Sequence, residues 1–229
     1  MGLEHSPRLV TNGLQLCLDA GNTRSYPGSG TTWTDISNNS RNGTLTNGPT
    51  FSSGSIVFDG TNDYVDCGST YSGLFGSGFT CGVWFKVPSV SVFQRLVALN
   101  NVANTNYDIF LQIGDDAKFQ CGFNGRTGGS TNYRTSSSTI SANTWYYMVA
   151  TNLSSTPNLY INGSLNNGTL FGTTSLNSNF GRLEIGRLIE LSINYHGAPS
   201  IASVHIYNRE LSAAEIRQNF NALRGRFGI

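Results

Sequence analysis

Acid–base or nucleophilic chemistry needs carboxylates, imidazoles or thiols brought to one face. In this chain of 229 residues such groups are sparse and scattered. There are five glutamates, Glu4, Glu184, Glu190, Glu210 and Glu215, and eight aspartates. A strand that cleaves glycosidic bonds would present Glu-x-Asp-x-Glu, because alternate residues point to the same side and bring an acid beside a nucleophile. No such triplet occurs, and Glu184 and Glu190 stand at the wrong interval. His5, His196 and His205 form no His-x-x-x-His pair, and neither a Gly-x-Ser-x-Gly elbow nor a phosphate-cradling glycine loop is present. Cys17, Cys67, Cys81 and Cys121 lack Cys-x-x-Cys spacing and neighbouring histidines, which argues against zinc. Cys81 and Cys121 fall on apolar strand phases, where a free cysteine behaves as a small buried hydrophobe. The expectation is a protein that is not an enzyme, with His205 on the outward phase of its strand as a surface or interface residue.

Binding chemistry has more candidates. Residues 124–139 read as a long polar surface loop, and such loops often carry binding groups. Within it Asn124, Arg126, Asn132, Tyr133 and Arg134 combine an aromatic platform with amide and guanidinium donors, the pairing that sugar recognition uses. A chain this rich in Asn, Ser and Thr also produces such clusters by composition alone. The C-terminal residues Arg224, Arg226 and Phe227 suit either an arm that docks on a partner or a frayed end, and residues 1–12 invite the same two readings. Arginine outnumbers lysine by 12 to 2, and arginine is the cation favoured in interfaces because its planar fork pairs with carboxylates and stacks on rings.

Those residues must be positioned by strands. Fourteen basic against thirteen acidic residues leave a net charge of +1, a field too weak to hold nucleic acid. No apolar run reaches the roughly 18 residues of a membrane helix. Period-two alternation recurs instead, most clearly over 79–87, where Phe79, Cys81, Val83, Phe85 and Val87 share a face. Asn-Gly turns at 12–13, 42–43, 47–48, 124–125, 162–163 and 167–168 punctuate the pattern. The expected fold is all-β, an antiparallel two-sheet sandwich of ten to thirteen strands. One helix is expected over 212–223: Ser212 and Glu215 form a capping box, and Ile216, Phe220 and Leu223 make one apolar stripe. The organisation is then an N-terminal arm over 1–12, a domain over 13–223 and a tail over 224–229.

Five strings occur in order that resemble laminin-G-like, concanavalin A-like jelly rolls: GSIVFDGTNDYV at 54–65, FTCGVWF at 79–85, WYYMVA at 145–150, LYING at 159–163 and IASVHIYNRELS at 201–212. The resemblance implies a jelly-roll sandwich that binds sugars or protein surfaces and in some members holds calcium. The positions matching the calcium region are Asp35, Asn38 and Asn42, with Asp63 in the turn after Phe58; many relatives carry an acidic residue where Ala202-Ser203 stands here. Residues 19–33, DAGNTRSYPGSGTTW, are similar to versions found in structural proteins of tailed phages. That narrower resemblance implies a virion protein, most simply a capsid decoration protein, with glycan adhesion as a further role. A carbohydrate-binding module of a tail fibre is the alternative. Expected partners are capsid or other virion proteins, further copies of the chain, or glycans, with no nucleic acid or membrane. The first residues lack the apolar core of a secretion signal, so the expected location is the virion surface, after synthesis in the host cytoplasm.

Overall fold

The computed structural model describes residues 7–71, 73–75, 78–101, 107–127, 130–152, 156–172, 180–190 and 193–229. In chain order the strands are β1 (Leu14–Asp19), β2 (Thr32–Trp33), β3 (Gly43–Thr46), β4 (Thr50–Ser52), β5 (Ser55–Val57), β6 (Tyr64–Asp66), β7 (Phe79–Lys86), β8 (Gln94–Asn101), β9 (Tyr107–Ile113) and β10 (Lys118–Thr127). They continue as β11 (Ser130–Thr139), β12 (Tyr146–Asn152), β13 (Asn158–Ile161), β14 (Ser164–Leu165), β15 (Asn167–Phe171), β16 (Phe180–Ile185), β17 (Arg187–Glu190), β18 (Ile193–His196) and β19 (Ser200–Tyr207). A single α-helix among the described residues, α1 (Ala213–Leu223), follows, with a short 3-10 turn at Arg224–Arg226. No helix among the described residues is long and apolar enough to cross a membrane.

Two antiparallel sheets form the sandwich. Sheet A runs β14-β13-β12-β7-β19-β5-β4, with β1 also paired to β19. Sheet B runs β15-β11-β10-β9-β8-β16-β6-β3-β2, and β17-β18 is a separate hairpin. The expected jelly-roll sandwich with one short C-terminal helix is what forms. Strands beyond the expected thirteen are mostly pieces of two to five residues in polar segments, too short for alternation to register.

The period-two pattern explains the core. Phe79, Cys81, Val83 and Phe85 of β7 point between the sheets and meet Ile109, Leu111, Ile113, Phe119 and Cys121 of sheet B. Fully burying such a side chain contributes roughly 1.5–3 kcal/mol. All four cysteines are buried and free, and burial, followed by the charges of Asp19 and Asp35, pushes the Cys17 thiol up to about 12.

The outer face of sheet A is covered as well. Ser212 caps α1, its Oγ accepting from Glu215 N at 3.3 Å while Glu215 Oε2 accepts from Ser212 N at 2.9 Å. Ile216, Phe220 and Leu223 then lie with Trp84, Tyr147, Val149 and Tyr207 in a second apolar cluster. The tail continues it: Phe227 stacks on Trp84 with ring centroids 4.1 Å apart and 15° between planes. This covering corrects the reading of His205. It is on the outward phase of β19 yet fully buried, because the face that is outward from the core lies beneath α1 and the tail.

Candidate functional site

With sheet A covered, sheet B is the layer whose outer face holds an open cavity. Its register sets side chains in rows across the strands. Ala98, Phe110, Gly122, Tyr133 and Phe171 are successive cross-strand partners on β8, β9, β10, β11 and β15. Two residues along β9, β10 and β11, Gln112, Gln120 and Thr135 form a second row, joined on β8 by Arg95, which stands three residues from Ala98 across a register shift. Because alternate residues share a face, one row is largely aromatic and the next is polar.

The polar row is internally wired. Arg95 Nη1 donates to Gln112 Oε1, Gln112 Nε2 donates to Gln120 Oε1 at 2.8 Å, and Gln120 Nε2 reaches Asp116 Oδ1 at 3.5 Å. This chain fixes which end of each amide faces which neighbour, and it leaves each amide nitrogen a second hydrogen and each amide oxygen a second lone pair. Gln112 and Gln120 are both buried in the floor, while Asp115 and Asp116 stand exposed at the turn.

The aromatic row depends on a glycine. Phe110 lies across Gly122 so closely that a Cβ there would stand 2.7 Å from Phe110 Cζ and 2.6 Å from Asn132 O. Tyr133 follows at 6.5 Å from the Phe110 centroid and stacks on Phe171 at 4.7 Å. Burial, then the negative charges of Asp116 and Asp115, raises the Tyr133 phenol above its ordinary value. The hydroxyl therefore stays protonated, able both to donate and to accept.

The hairpin β17-β18 bounds the face on one side. Leu188 packs on Ala98 and Phe110. Beneath the hairpin, buried Glu184 accepts from Asn100 Nδ2 at 2.8 Å and from Arg187 Nε at 3.0 Å, with a second ion-pair contact from Arg187 Nη2. The Arg187 guanidinium lies 3.6 Å from the Tyr64 ring centroid. A buried charge left without its partner costs several kcal/mol, so this pairing ties the hairpin to the sheet. Between hairpin and sheet is a cavity of about 690 Å³ whose lining includes Arg95, Phe110, Gln112, Gln120, Tyr133 and Tyr195.

The residues expected from sequence separate as follows. Tyr133 lines this cavity. The described part of 124–139 is strand, not loop: residues 124–127 end β10 and residues 130–139 are the whole of β11. Asn132 and Arg134 alternate with Tyr133 onto the other phase, and Arg134 is the register partner of core residue Cys121. Burial lowers the Arg134 guanidinium below its usual value. The backbone of Asn124 and Arg126 belongs to β10, but their side chains lie outside the described residues. Phe110, Gln112 and Gln120 were missed, although they occupy the outward phase of YDIFLQI and KFQCGF.

Arg226 and Phe227 lie on this chain's own sheet A. Arg226 Nη1 donates to both carboxylate oxygens of Asp19 at 2.9 Å, Phe227 stacks on Trp84, and Arg224 sits 5.8 Å from the Phe220 ring centroid. Near the N-terminus, Val10 is buried and its N donates to Asn219 Oδ1 at 2.8 Å. Residues 1–6 lie outside the described residues.

The calcium candidates do not make one site. Asp35 Oδ1 accepts from the backbone N of Cys17 and Ser37, and Oδ2 accepts from Ser37 Oγ and Arg41 N, all at 2.8–3.0 Å. Asn42 Oδ1 accepts from Asp35 N at 2.9 Å, and Asn38 is exposed with φ of 75°. Asp63 is at the opposite end of β3, beside Gly48, its Oδ2 accepting from Asp59 N at 3.1 Å. A hard cation needs six or more converging oxygens, whereas Asp35 accepts four hydrogen bonds and stands at the other end of β3 from Asp63. No metal-holding group of three His, Cys, Asp or Glu occurs among the described residues.

Comparison with known proteins places this arrangement. A family model described as the concanavalin A-like lectin/glucanases superfamily matches residues 59–217. No curated protein matches the chain. Among solved structures, Trypanosoma rangeli sialidase in complex with sialic acid is similar, with a TM-score of 0.68 and 14% identity, over 93% of this chain and 33% of that one. The botulinum neurotoxin serotype D binding domain has a TM-score of 0.63 and 14% identity, over 92% of this chain and 52% of that one. The chain thus spans about a third of the sialidase and half of the toxin domain. The sialidase match corrects the expectation that the chain is not an enzyme. Missing sequence motifs do not exclude catalysis for a sandwich of this kind, since a similar one occurs within the sialidase chain. At 14% identity the likeness shows the fold alone and no activity.

Proposed function

The chain belongs to the concanavalin A-like lectin/glucanases superfamily, and on that premise we propose that it binds glycans in the cavity on the outer face of sheet B. The observation that carries this reading is the pair of rows: Phe110, Tyr133 and Phe171 beside Arg95, Gln112 and Gln120. A pyranose ring has an apolar C–H face and a rim of hydroxyls. The face suits an aromatic surface, and the rim suits amides and carboxylates held in fixed orientation. A cavity of about 690 Å³ is within the roughly 300–1,000 Å³ usual for small-ligand sites, which combine apolar walls with a few placed polar groups. Two neighbours add support: a sialidase solved with sialic acid and a neurotoxin binding domain. The test is an oligosaccharide array followed by calorimetry. Binding should fall at least tenfold in Tyr133→Ala and in Gln112→Ala with the fold intact by circular dichroism. An array without hits overturns the reading.

For the setting, the resemblance of residues 19–33 to tailed-phage structural proteins supports a particle-surface protein that presents this sheet to a host glycan. Co-sedimentation with phage particles tests it, and a chain that stays in the supernatant overturns it.

A further inference from the structure

Resting on the glycan reading, we propose that the cavity recognises one end of a sugar chain, with the terminal unit held against the β17-β18 hairpin and the rest of the chain leaving over Tyr133 and Phe171. The two ends of the aromatic row differ in kind. At the hairpin end Phe110 is 1% exposed and Leu188 4%, packed together. Tyr133 is half-buried, and at the far end Phe171 is 43% exposed on β15, the edge strand of the sheet. Exposure therefore rises step by step along the row, from Phe110 through Tyr133, tilted 48° to it, to Phe171 stacked on Tyr133, and it rises in one direction only.

The hairpin end is a wall that cannot simply swing aside. Its strands pair from Arg187–His196 to Glu190–Ile193. The segment after it is pressed onto β8: Ala198 N donates to Gln94 Oε1 at 2.9 Å, and a Cβ on Gly197 would stand 2.9 Å from Arg95 O. The Arg95 guanidinium is 4.8 Å from the Phe93 centroid and 5.5 Å from that of Tyr195, joining the strand to the hairpin. Below them the Glu184–Arg187 pair anchors the base. Among the described residues, a ligand crossing sheet B from β15 thus meets Tyr195 and Leu188 with no continuation. An open groove would accept the interior of a polysaccharide, whereas a groove closed at one end accepts only a terminus.

The experiment uses the whole chain and free oligosaccharides of one to four units matching the array hits, each lengthened by one sugar at either end in turn, with soluble xylan and dextran as chains of almost entirely internal units. Calorimetry should show that lengthening at one end costs at least tenfold in affinity, while lengthening at the other is neutral or favourable. Phe171→Ala should weaken tri- and tetrasaccharides about fivefold and leave the single sugar within twofold. Tyr195→Ala, which trims the wall at an exposed side chain, should recover part of the loss on lengthening. Tolerance of added sugars at both ends, or xylan or dextran binding as tightly per site as the short chains, shows an open groove and overturns the inference while leaving glycan binding intact. Loss on lengthening at both ends shows a closed pocket and overturns the exit over Phe171. Absence of binding to every sugar instead removes the glycan reading on which the inference stands.

Discussion

Replacing Phe227 with alanine probes the sealed side of the sandwich. The ring is half-buried, lies nearly parallel to Trp84 at 4.1 Å and stands 4.8 Å from the Trp145 centroid. Removing a half-buried phenylalanyl group forfeits about 1–1.5 kcal/mol of apolar burial. The lost aromatic contacts add about 0.5–1 kcal/mol, for a total near 2 kcal/mol. In a domain of 150–250 residues each kcal/mol moves Tm by about 2–4 °C, so a fall of about 4–8 °C is expected by circular dichroism. A second signal is specific to the contact. Of the three tryptophans, Trp33 sits in the core between the sheets and Trp84 beneath the tail. Uncovering Trp84 and Trp145 should shift the emission to the red and increase acrylamide quenching. Arg226→Ala should act in the same direction, and the double variant should fall short of the sum, because both side chains hold one short segment. A Tm within 1 °C of the parent and unchanged emission would refute the docking of the tail on its own sheet.

Three further outcomes follow from named contacts. Burial, outweighing the favourable charge of Asp19 and reinforced by Arg226, lowers His205 to about 4. Between pH 6.5 and 4 the unfolded chain therefore binds the extra proton, and stability at His205 falls with pH across that window by roughly 3 kcal/mol. Urea melts from pH 7 to 4 should show this slope, and His205→Leu should flatten it. Gly122→Ala forces Phe110 or β11 to move, with an expected cost of about 1–3 kcal/mol; glycan affinity measured by calorimetry should drop with it, and an unchanged melt would contradict the packing of Phe110 on Gly122. Millimolar calcium and excess chelator should give melting curves within 1 °C of each other, since Asp35 already accepts four hydrogen bonds and Asp63 lies at the opposite end of β3.

The sandwich was legible because its inner faces are written in a two-residue period that survives in single strands such as Phe79 to Phe85. The helix was legible because Ser212 and Glu215 mark its start in four residues. What the sequence hid depends on distant coverage. His205 has the phase of a surface residue, and only the return of α1 and the tail, joined by Arg226 to Asp19, buries it. Residues 124–127 and 130–139 looked like a loop because their side chains are mostly small and polar, yet pairing of β10 with β11, and of β11 with β15, makes them strands. Of the site, Tyr133 was found and its partners were not. Phe110, Gln112 and Gln120 converge through cross-strand register, which no local spacing encodes. The lack of a contiguous Glu-x-Asp-x-Glu string does not decide against an enzyme, because side chains in this fold converge from several strands.

The most direct test of glycan binding at sheet B is a titration of isotope-labelled protein with an array-identified oligosaccharide, followed by NMR. The side-chain amides of Gln112 and Gln120 and the rings of Phe110 and Tyr133 should shift together and saturate with one Kd, while Trp84 and Tyr147 on sheet A stay fixed. Shifts concentrated on sheet A or on the Asp35 loop, with the two glutamine amides unmoved, would contradict the account.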